Sequence, residues 1–365
     1  MASQQKSADH SFKTQLLNYK KLIDADINDF AETFVERARS RYGGNAGLVA
    51  LAYNDILKRD AKRIRGALTI VGYEMCGGTN PEIAIQAARA VEMMHAYMLI
   101  IDDIQDNSDM RRGGPSAHRI IESLHTKNGW KADPEHIGRS LALNAAIIGA
   151  HNAEMVLANM EIDPELRLKA LMIINNTMMV TAYGQTEDIV NQVNTSVAAD
   201  NIENMMLWKT AHYTILNPIH MGMVMANAGC EDTNAITEYA LNIGKVFQIR
   251  DDLLVATSKS DSGKQAIDDI REGKQTLLTI HAFEHANKAD ADFLKNSLGS
   301  TELSEADFKR CRDIFTKAGS IDYARSVAEK YVAEGRRSLK YHSSRWPAKQ
   351  VKFLDDLAGY MIAWS

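Results

Sequence analysis

Only six prolines interrupt 365 residues, about a third of the usual frequency. Proline lacks the N–H that a helix interior needs and its ring collides with the preceding turn, so a chain this poor in it can run long helices unbroken. The helix formers Ala, Leu, Met, Lys and Glu are abundant, which points the same way. Apolar residues recur at helical steps: Phe12, Leu16, Leu22, Ile23, Ile27, Phe30 and Phe34 line one face of a helix over residues 12–38, which Gly43-Gly44 stops. A second segment spans Val49 to Met75. Asn80-Pro81-Glu82 supplies an N-cap, a first-turn proline and an early acid. A long helix is expected from there through Met93, Met94 and Leu99 to about Asp106 or beyond, closed by Gly113-Gly114-Pro115. At about 1.5 Å per residue it would be roughly 40 Å long. Helical patterns also cover 137–160, 165–190, 199–228, 234–256 and most of 276–363, and no stretch alternates as a strand for more than a few residues. Residues 124–136 and 257–266 read as loops, the second a candidate mobile lid. The expected fold is all-α, one large helical domain over residues 1–365 with residues 1–11 flexible.

With 45% hydrophobic and 24% charged residues the chain can bury a large core. The net charge of -5 leaves no global basic field for nucleic acid, so any anion must be held locally. Cys76, Cys230 and Cys311 are odd in number and far apart, which suits ordinary thiols in a reducing compartment. The first residues lack an apolar signal core, and no run approaches the roughly 18 apolar residues of a membrane span. A soluble, cytoplasmic protein is expected.

The chemistry is written in two acidic clusters. Asp102-Asp103-Ile104-Gln105-Asp106 closes an otherwise apolar helix, AYMLIIDDIQD. Positions i and i+4 differ by about 40° around the axis, so Asp102 and Asp106 share a face and Asp103 flanks it. Carboxylates at a helix C-terminus oppose the macrodipole and repel one another, so a cation should compensate. A solvated helix end would explain three acids alone, but not the apolar run before them. Asp251-Asp252 follows a similar stretch, YALNIGKVFQIRDD. Hard carboxylate oxygens in an open arrangement suit Mg²⁺, which completes its octahedron with water and substrate phosphate. Arg111-Arg112, Lys209-Thr210, Lys264 and Lys274 stand beside apolar segments near these acids, and arginine forks and lysine charges are the usual protein ligands of phosphate. The implied substrate is a diphosphate or polyphosphate. No P-loop or GxGxxG fingerprint is present.

These residues resemble the trans-isoprenyl diphosphate synthases from about residue 15 to 363. DDIQDNSDMRRGGPSAH is similar to the family's first aspartate-rich motif with its trailing arginines, and FQIRDDLL to the second. KRIRG, GQTED, KTAHY with the later Pro218, GKQAIDDIREGKQTLL and GSIDYARSVAEKY resemble further family blocks in the family's order. The resemblance implies an all-α prenyltransferase fold with aspartate clusters facing each other over a deep hydrophobic cavity, usually as a homodimer. It implies Asp102, Asp106 and Asp251 as the main Mg²⁺ ligands, three ions per active site with substrate bound, supported by Asp103 and Asp252. Arg111, Lys209, Lys264 and Lys274 would hold the allylic diphosphate. Lys62, Arg65, His95 and Arg112 would hold the diphosphate of isopentenyl diphosphate. Thr210 and Gln248 would orient oxygens toward the developing carbocation, with Gln185 and Asp188 behind them. The sequence departs from the family pattern at Val255, Ile101, Asp60-Ala61, Ile267 and Ala145-Ala146.

The implied reaction is Mg²⁺-dependent chain elongation of an allylic diphosphate by isopentenyl diphosphate. In the family the tail runs along the helix that ends in the first aspartates. Tyr97, five residues before Asp102, is bulky; Met98 is flexible and Met94 lies a turn deeper. A single aromatic at that place resembles archaeal-type geranylgeranyl synthases, so a C20 product is expected, with C15 and C25 open. A class I terpene cyclase and a non-catalytic subunit of a heteromeric synthase remain the alternatives.

Overall fold

The computed structural model describes residues 2–194, 197–257 and 263–364, with side chains from Phe12 onward except those of residue 255 and residues 263–266. The described residues are almost wholly helical. The helices are α1 (Ala2–Tyr42), α2 (Gly44–Lys58), α3 (Ile64–Met75), α4 (Pro81–Gln105), α5 (Ala117–Lys127), α6 (Pro134–Ala158), α7 (Pro164–Val193) and α8 (Ala199–Met205). A π-helix (Met206–Leu216) leads into α9 (Asn217–Met225) and α10 (Cys230–Thr257). The remainder are α11 (Gly263–Arg271), α12 (Leu277–His285), α13 (Lys288–Ser297), α14 (Glu305–Lys317), α15 (Ser320–His342) and α16 (Ala348–Met361). Antiparallel strands β1 (Met110–Arg111) and β2 (Gly114–Pro115) form one small hairpin.

Two compact units account for the chain. One comprises residues 13–174 and 218–228, the other residues 1–12, 175–217 and 229–365. In the first, α4 packs on α3 and α6. Asn80 caps α4 by accepting from the Glu82 N–H at 3.0 Å, as its N-cap signature requires. Tyr53 of α2 is fully buried over Gly149 of α6, where a Cβ would overlap its ring, and its hydroxyl donates to the Met93 carbonyl of α4 at 2.8 Å. Burying a ring of this kind stabilises by roughly 1.5–3 kcal/mol. Gly72 of α3 and Gly222 of α9 let those helices meet backbone to backbone, since a Cβ at either would strike the other's carbonyl. In the second unit α10 packs on the π-helix and α15, and the buried Tyr239 hydroxyl donates to the Leu354 carbonyl of α16 at 2.6 Å. Phe12 packs at a tilt against Phe353 and Tyr360, each 5.1 Å between ring centroids.

Three expectations change. The segment from Val49 to Met75 is two helices: α2 stops at Lys58, where Arg59 turns extended, and α3 starts at Ile64 after Arg63, which takes a left-handed conformation at φ 51°. Helix α4 ends at Gln105, before the glycine cluster, which instead makes the β1–β2 hairpin around Arg112 and Gly113, both with positive φ as a type I′ turn demands. Among the described residues one helix, α6, is long and apolar enough to cross a membrane by length and composition. Its inner side packs on α4 and α5 while Leu143, Ile147 and Met155 stay exposed. Of the loop and lid expected over residues 257–266, residues 258–262 lie outside the described residues, whereas residue 257 ends α10 and residues 263–266 begin α11 and so are helical.

Candidate active site

At the end of α4, Asp103 is fully buried and Asp106, the C-cap residue, nearly so. The compensating cation is Arg111 of β1: its Nε donates to Asp103 Oδ1 at 2.7 Å, and Nη2 reaches Asp103 and, at 3.3 Å, Asp102 Oδ2. Burial raises the Asp103 carboxyl to about 6, with Arg111 opposing and Asp102 and Asp106 adding like-charge repulsion. The hairpin holds Arg111 in place. Arg59, at the C-cap of α2, donates to the Pro115 carbonyl at 2.7 Å and to that of Arg111, and a side chain on Gly114 would meet its guanidinium 2.8 Å away.

Lys62 and Arg65 flank the start of α3, and Arg65 Nη1 donates to His95 Nε2 of α4 at 3.3 Å. Arginine only donates, so Nε2 accepts and the ring proton sits on Nδ1. Burial, then Arg65, Arg112 and Arg111, hold His95 well below the ordinary imidazole range, so it is neutral at pH 7. His95 lies two turns before Asp102, about 20° off its stripe, and Met98 one turn before it, about 40° off. Tyr97 is half-buried and falls about 140° round the helix, so Met98 rather than Tyr97 lines up with the aspartates. Met94 is buried.

In the other unit the π-helix carries Lys209 and Thr210. Its wide turns lie against Gly184 of α7, where a Cβ would strike the Lys209 backbone, and Gly244 of α10, where it would strike Ala211. Lys209 Nζ donates to the buried Asp188 at 2.5 Å. Thr210 Oγ1 donates to Gln248 Oε1 at 2.6 Å, and Gln248 Nε2 donates to Asp252 Oδ1 at 2.9 Å. One hydrogen-bonded line therefore orders threonine, glutamine and aspartate. Helix α10 continues to Thr257, so Asp251 and Asp252 sit in its last two turns rather than at its end. Burial pushes the Asp252 carboxyl up to about 8, with Asp269, Asp251 and Asp188 repelling its charge and the Gln248 hydrogen bond opposing. Lys274 Nζ pairs with Asp269 at 3.1 Å and Glu272 at 3.0 Å. The Lys264 side chain lies outside the described residues.

Asp103 Oδ2 and Asp252 Oδ2 are buried without a hydrogen-bond partner. A buried carboxylate oxygen left so is costly unless a cation meets it, and hard oxygens suit Mg²⁺. Among the described residues no three His, Cys, Asp or Glu side chains converge as a ready metal cage. Mg²⁺ needs none, since it keeps waters and takes substrate phosphate. The sequence reading missed Arg59, Arg63, Glu92, Asp269 and the two π-helix glycines. Glu92 had a signal: it is a single acid within the apolar run AVEMMHAY.

Comparison with known proteins places the chain. The sequence profile of the Polyprenyl synthetase family matches residues 47–315. The geranylfarnesyl diphosphate synthase of Aeropyrum pernix is 31% identical over 312 residues, covering 84% of this chain and 91% of that one. The geranylgeranyl diphosphate synthase of Sulfolobus acidocaldarius is 28% identical over 342 residues, 92% and 96% of the two chains. A geranylgeranyl pyrophosphate synthase from Corynebacterium glutamicum, solved with isoprenyl diphosphate and magnesium, has the same fold: TM-score 0.82, 24% identity, 98% of each chain. An all-helical architecture, two aspartate clusters with buried orphan oxygens and this match over most of the length agree: the chain belongs to the polyprenyl synthetase family, the chain-elongating trans-prenyltransferases of the all-α isoprenoid synthase fold.

Proposed function

We propose that this chain condenses isopentenyl diphosphate with an allylic diphosphate to make mainly a C20 product, geranylgeranyl diphosphate, acting as a single catalytic domain over residues 1–365. The observation that carries the reading is that each aspartate cluster keeps a buried, unpartnered carboxylate oxygen in a unit that also holds basic side chains. Asp102, Asp106 and Asp251 would hold Mg²⁺, three ions per site when substrate is present, with Asp103 and Asp252 in support. Bound Mg²⁺ supplies charge neutralisation for the leaving diphosphate.

Arg111, Lys209, Lys264 and Lys274 bind the allylic diphosphate and offset the charge that develops as its C–O bond breaks. Lys62, Arg65, His95 and Arg112 hold isopentenyl diphosphate; neutral His95 donates through Nδ1 while Arg65 keeps its ring in place. The double bond attacks C1 of the allylic cation, forming one C–C bond, and the resulting cation loses a proton to the departed diphosphate. Thr210 and Gln248 face the developing positive charge with oxygen lone pairs, since the Thr210 proton is already committed to Gln248. No side-chain nucleophile is needed.

Met94, Tyr97 and Met98 are the proposed floor for the growing tail. Relatives named for C20 and C25 products support that range. Three cysteines, odd in number and far apart in the sequence, support a cytoplasmic setting. A homodimer is supported by the apolar stripe Leu143, Ile147 and Met155 on α6, which are 41%, 50% and 55% exposed.

The test is chromatography of products made from labelled isopentenyl diphosphate and C5, C10 and C15 allylic primers with Mg²⁺. Extension to C20 is expected. Hydrocarbon released from farnesyl diphosphate alone would identify a cyclase, and activity only on addition of a second synthase chain would identify a partner subunit.

A further inference from the structure

The most constrained residue outside the aspartate clusters is Arg63. Its backbone is left-handed at φ 51°, a conformation that a long side chain adopts only where its surroundings impose it. The side chain is almost fully buried and its guanidinium makes four hydrogen bonds. Nε donates to Asp24 of α1 at 2.7 Å, Nη1 to Glu92 of α4 at 3.3 Å, and Nη2 to the Leu57 and Arg59 carbonyls of the α2 end at 2.8 and 3.3 Å. Glu92, 2% exposed, uses its second oxygen to accept the Gly66 N–H at 2.9 Å, satisfying a first-turn donor of α3 that no residue of α3 could reach. A side chain on Gly66 would meet Ile23 at 2.8 Å and Glu92 at 3.2 Å, so the turn is closed tightly on the pair.

Lys62 and Arg65 stand on either side of this device. Glu92 and His95 are three residues apart on α4 and share its face. The start of α3 is therefore tied to α4 at two successive points: Arg63 and Gly66 to Glu92, and Arg65 to His95. A buried ion pair of this sort is a poor device for stability, because desolvation offsets the attraction, but its planar fork is a good one for fixing direction.

We propose that Arg63 is a positioning residue for isopentenyl diphosphate, its buried fork and left-handed backbone holding Lys62 and Arg65 in register with His95; this rests on the reading of those three side chains given above. The device acts mainly on one substrate: its hydrogen bonds run to α1, the end of α2 and α4, and its one link toward a residue assigned to the allylic diphosphate is indirect, through Arg59, whose side chain holds the Arg111 carbonyl. Arg63→Gln leaves Glu92 charged and buried, so a charge-balanced Arg63→Gln/Glu92→Gln variant accompanies it, with Arg63→Lys, Lys62→Ala and Arg65→Ala. KM for isopentenyl diphosphate is measured at saturating allylic primer, and the reverse. The Arg63→Gln variants should raise KM for isopentenyl diphosphate about tenfold or more, with KM for the primer and kcat at saturation kept within about threefold. Arg63→Lys should fall between, a point charge replacing a fork. An unchanged KM for isopentenyl diphosphate in the folded double variant, or an equal loss on both substrates, overturns the proposal. If Lys62→Ala and Arg65→Ala also leave that KM unchanged, the assignment of the subsite is what fails; if they raise it and the Arg63 variants do not, the positioning role alone fails.

Discussion

Asp252 shows how far burial can move a single residue from its ordinary chemistry. Its carboxyl, ordinarily near 3.8, is raised to about 8 by desolvation and by Asp269, Asp251 and Asp188. A raised acid binds its proton more tightly in the folded chain than in the unfolded one. The stabilisation this gives is complete below about pH 4 and is lost as pH rises through about 8. Without divalent metal the protein should therefore lose thermal stability between pH 6 and 9. Asp252→Asn should flatten that loss and raise Tm at pH 8 by roughly 2–4 °C, while lowering turnover by about 100-fold or more. Scanning calorimetry in chelator at pH 6, 7, 8 and 9 checks the first part, and a variant no more stable than its parent at pH 8 would refute it. On α4 the helical phase puts Met98, not Tyr97, on the stripe of Asp102. Met98→Phe should shorten the main product by one five-carbon unit, and Tyr97→Ala should lengthen it less than Met98→Ala does. Product chromatography decides, and equal chain lengths from all three would remove both residues from the floor.

Among the elements, the π-helix is the one with most at stake. Lys209 and Thr210 are aimed by wide turns that α7 and α10 accommodate only because Gly184 and Gly244 carry no Cβ. Overpacking a well-filled contact costs about 1–3 kcal/mol, and here the displaced atoms are the backbone beneath two site residues. Gly184→Ala should lower Tm measurably and cut kcat about tenfold or more. Gly44→Ala, whose Cβ meets open space, should change neither. Thermal melts with steady-state kinetics test the pair, and full activity of Gly184→Ala would mean that the π-helix can shift without consequence. The β1–β2 hairpin is a second such element: its two-residue turn, with positive φ at Arg112 and Gly113, pairs Arg111 with Gly114, and from that strand the Arg111 side chain reaches the acids eight and nine residues before it.

For the whole molecule, the stripe of Leu143, Ile147 and Met155 should be covered by a second copy. Leu143→Asp/Ile147→Asp should convert a dimer to monomer in sedimentation velocity without unfolding it; a monomeric parent would show that the stripe has another use. The helical class, the long α4 with its Asn80-Pro81 start and both aspartate clusters were all legible in the amino-acid order, because proline scarcity, apolar period and N-capping are local properties of the chain. The family blocks were legible for the same reason. Three things were not: the break at Arg63, the hairpin at Arg112-Gly113 and the π-helix at 206–216. Each is a departure from regular helix that only contacts distant in sequence sustain, namely Asp24 and Glu92 around Arg63, Arg59 against the hairpin, and Gly184 and Gly244 against the π-helix. Sequence alone therefore determined which residue types the protein brings to its chemistry. Tertiary structure decided which of them are buried, neutral or aimed, because desolvation and backbone strain depend on neighbours that the linear order does not reveal.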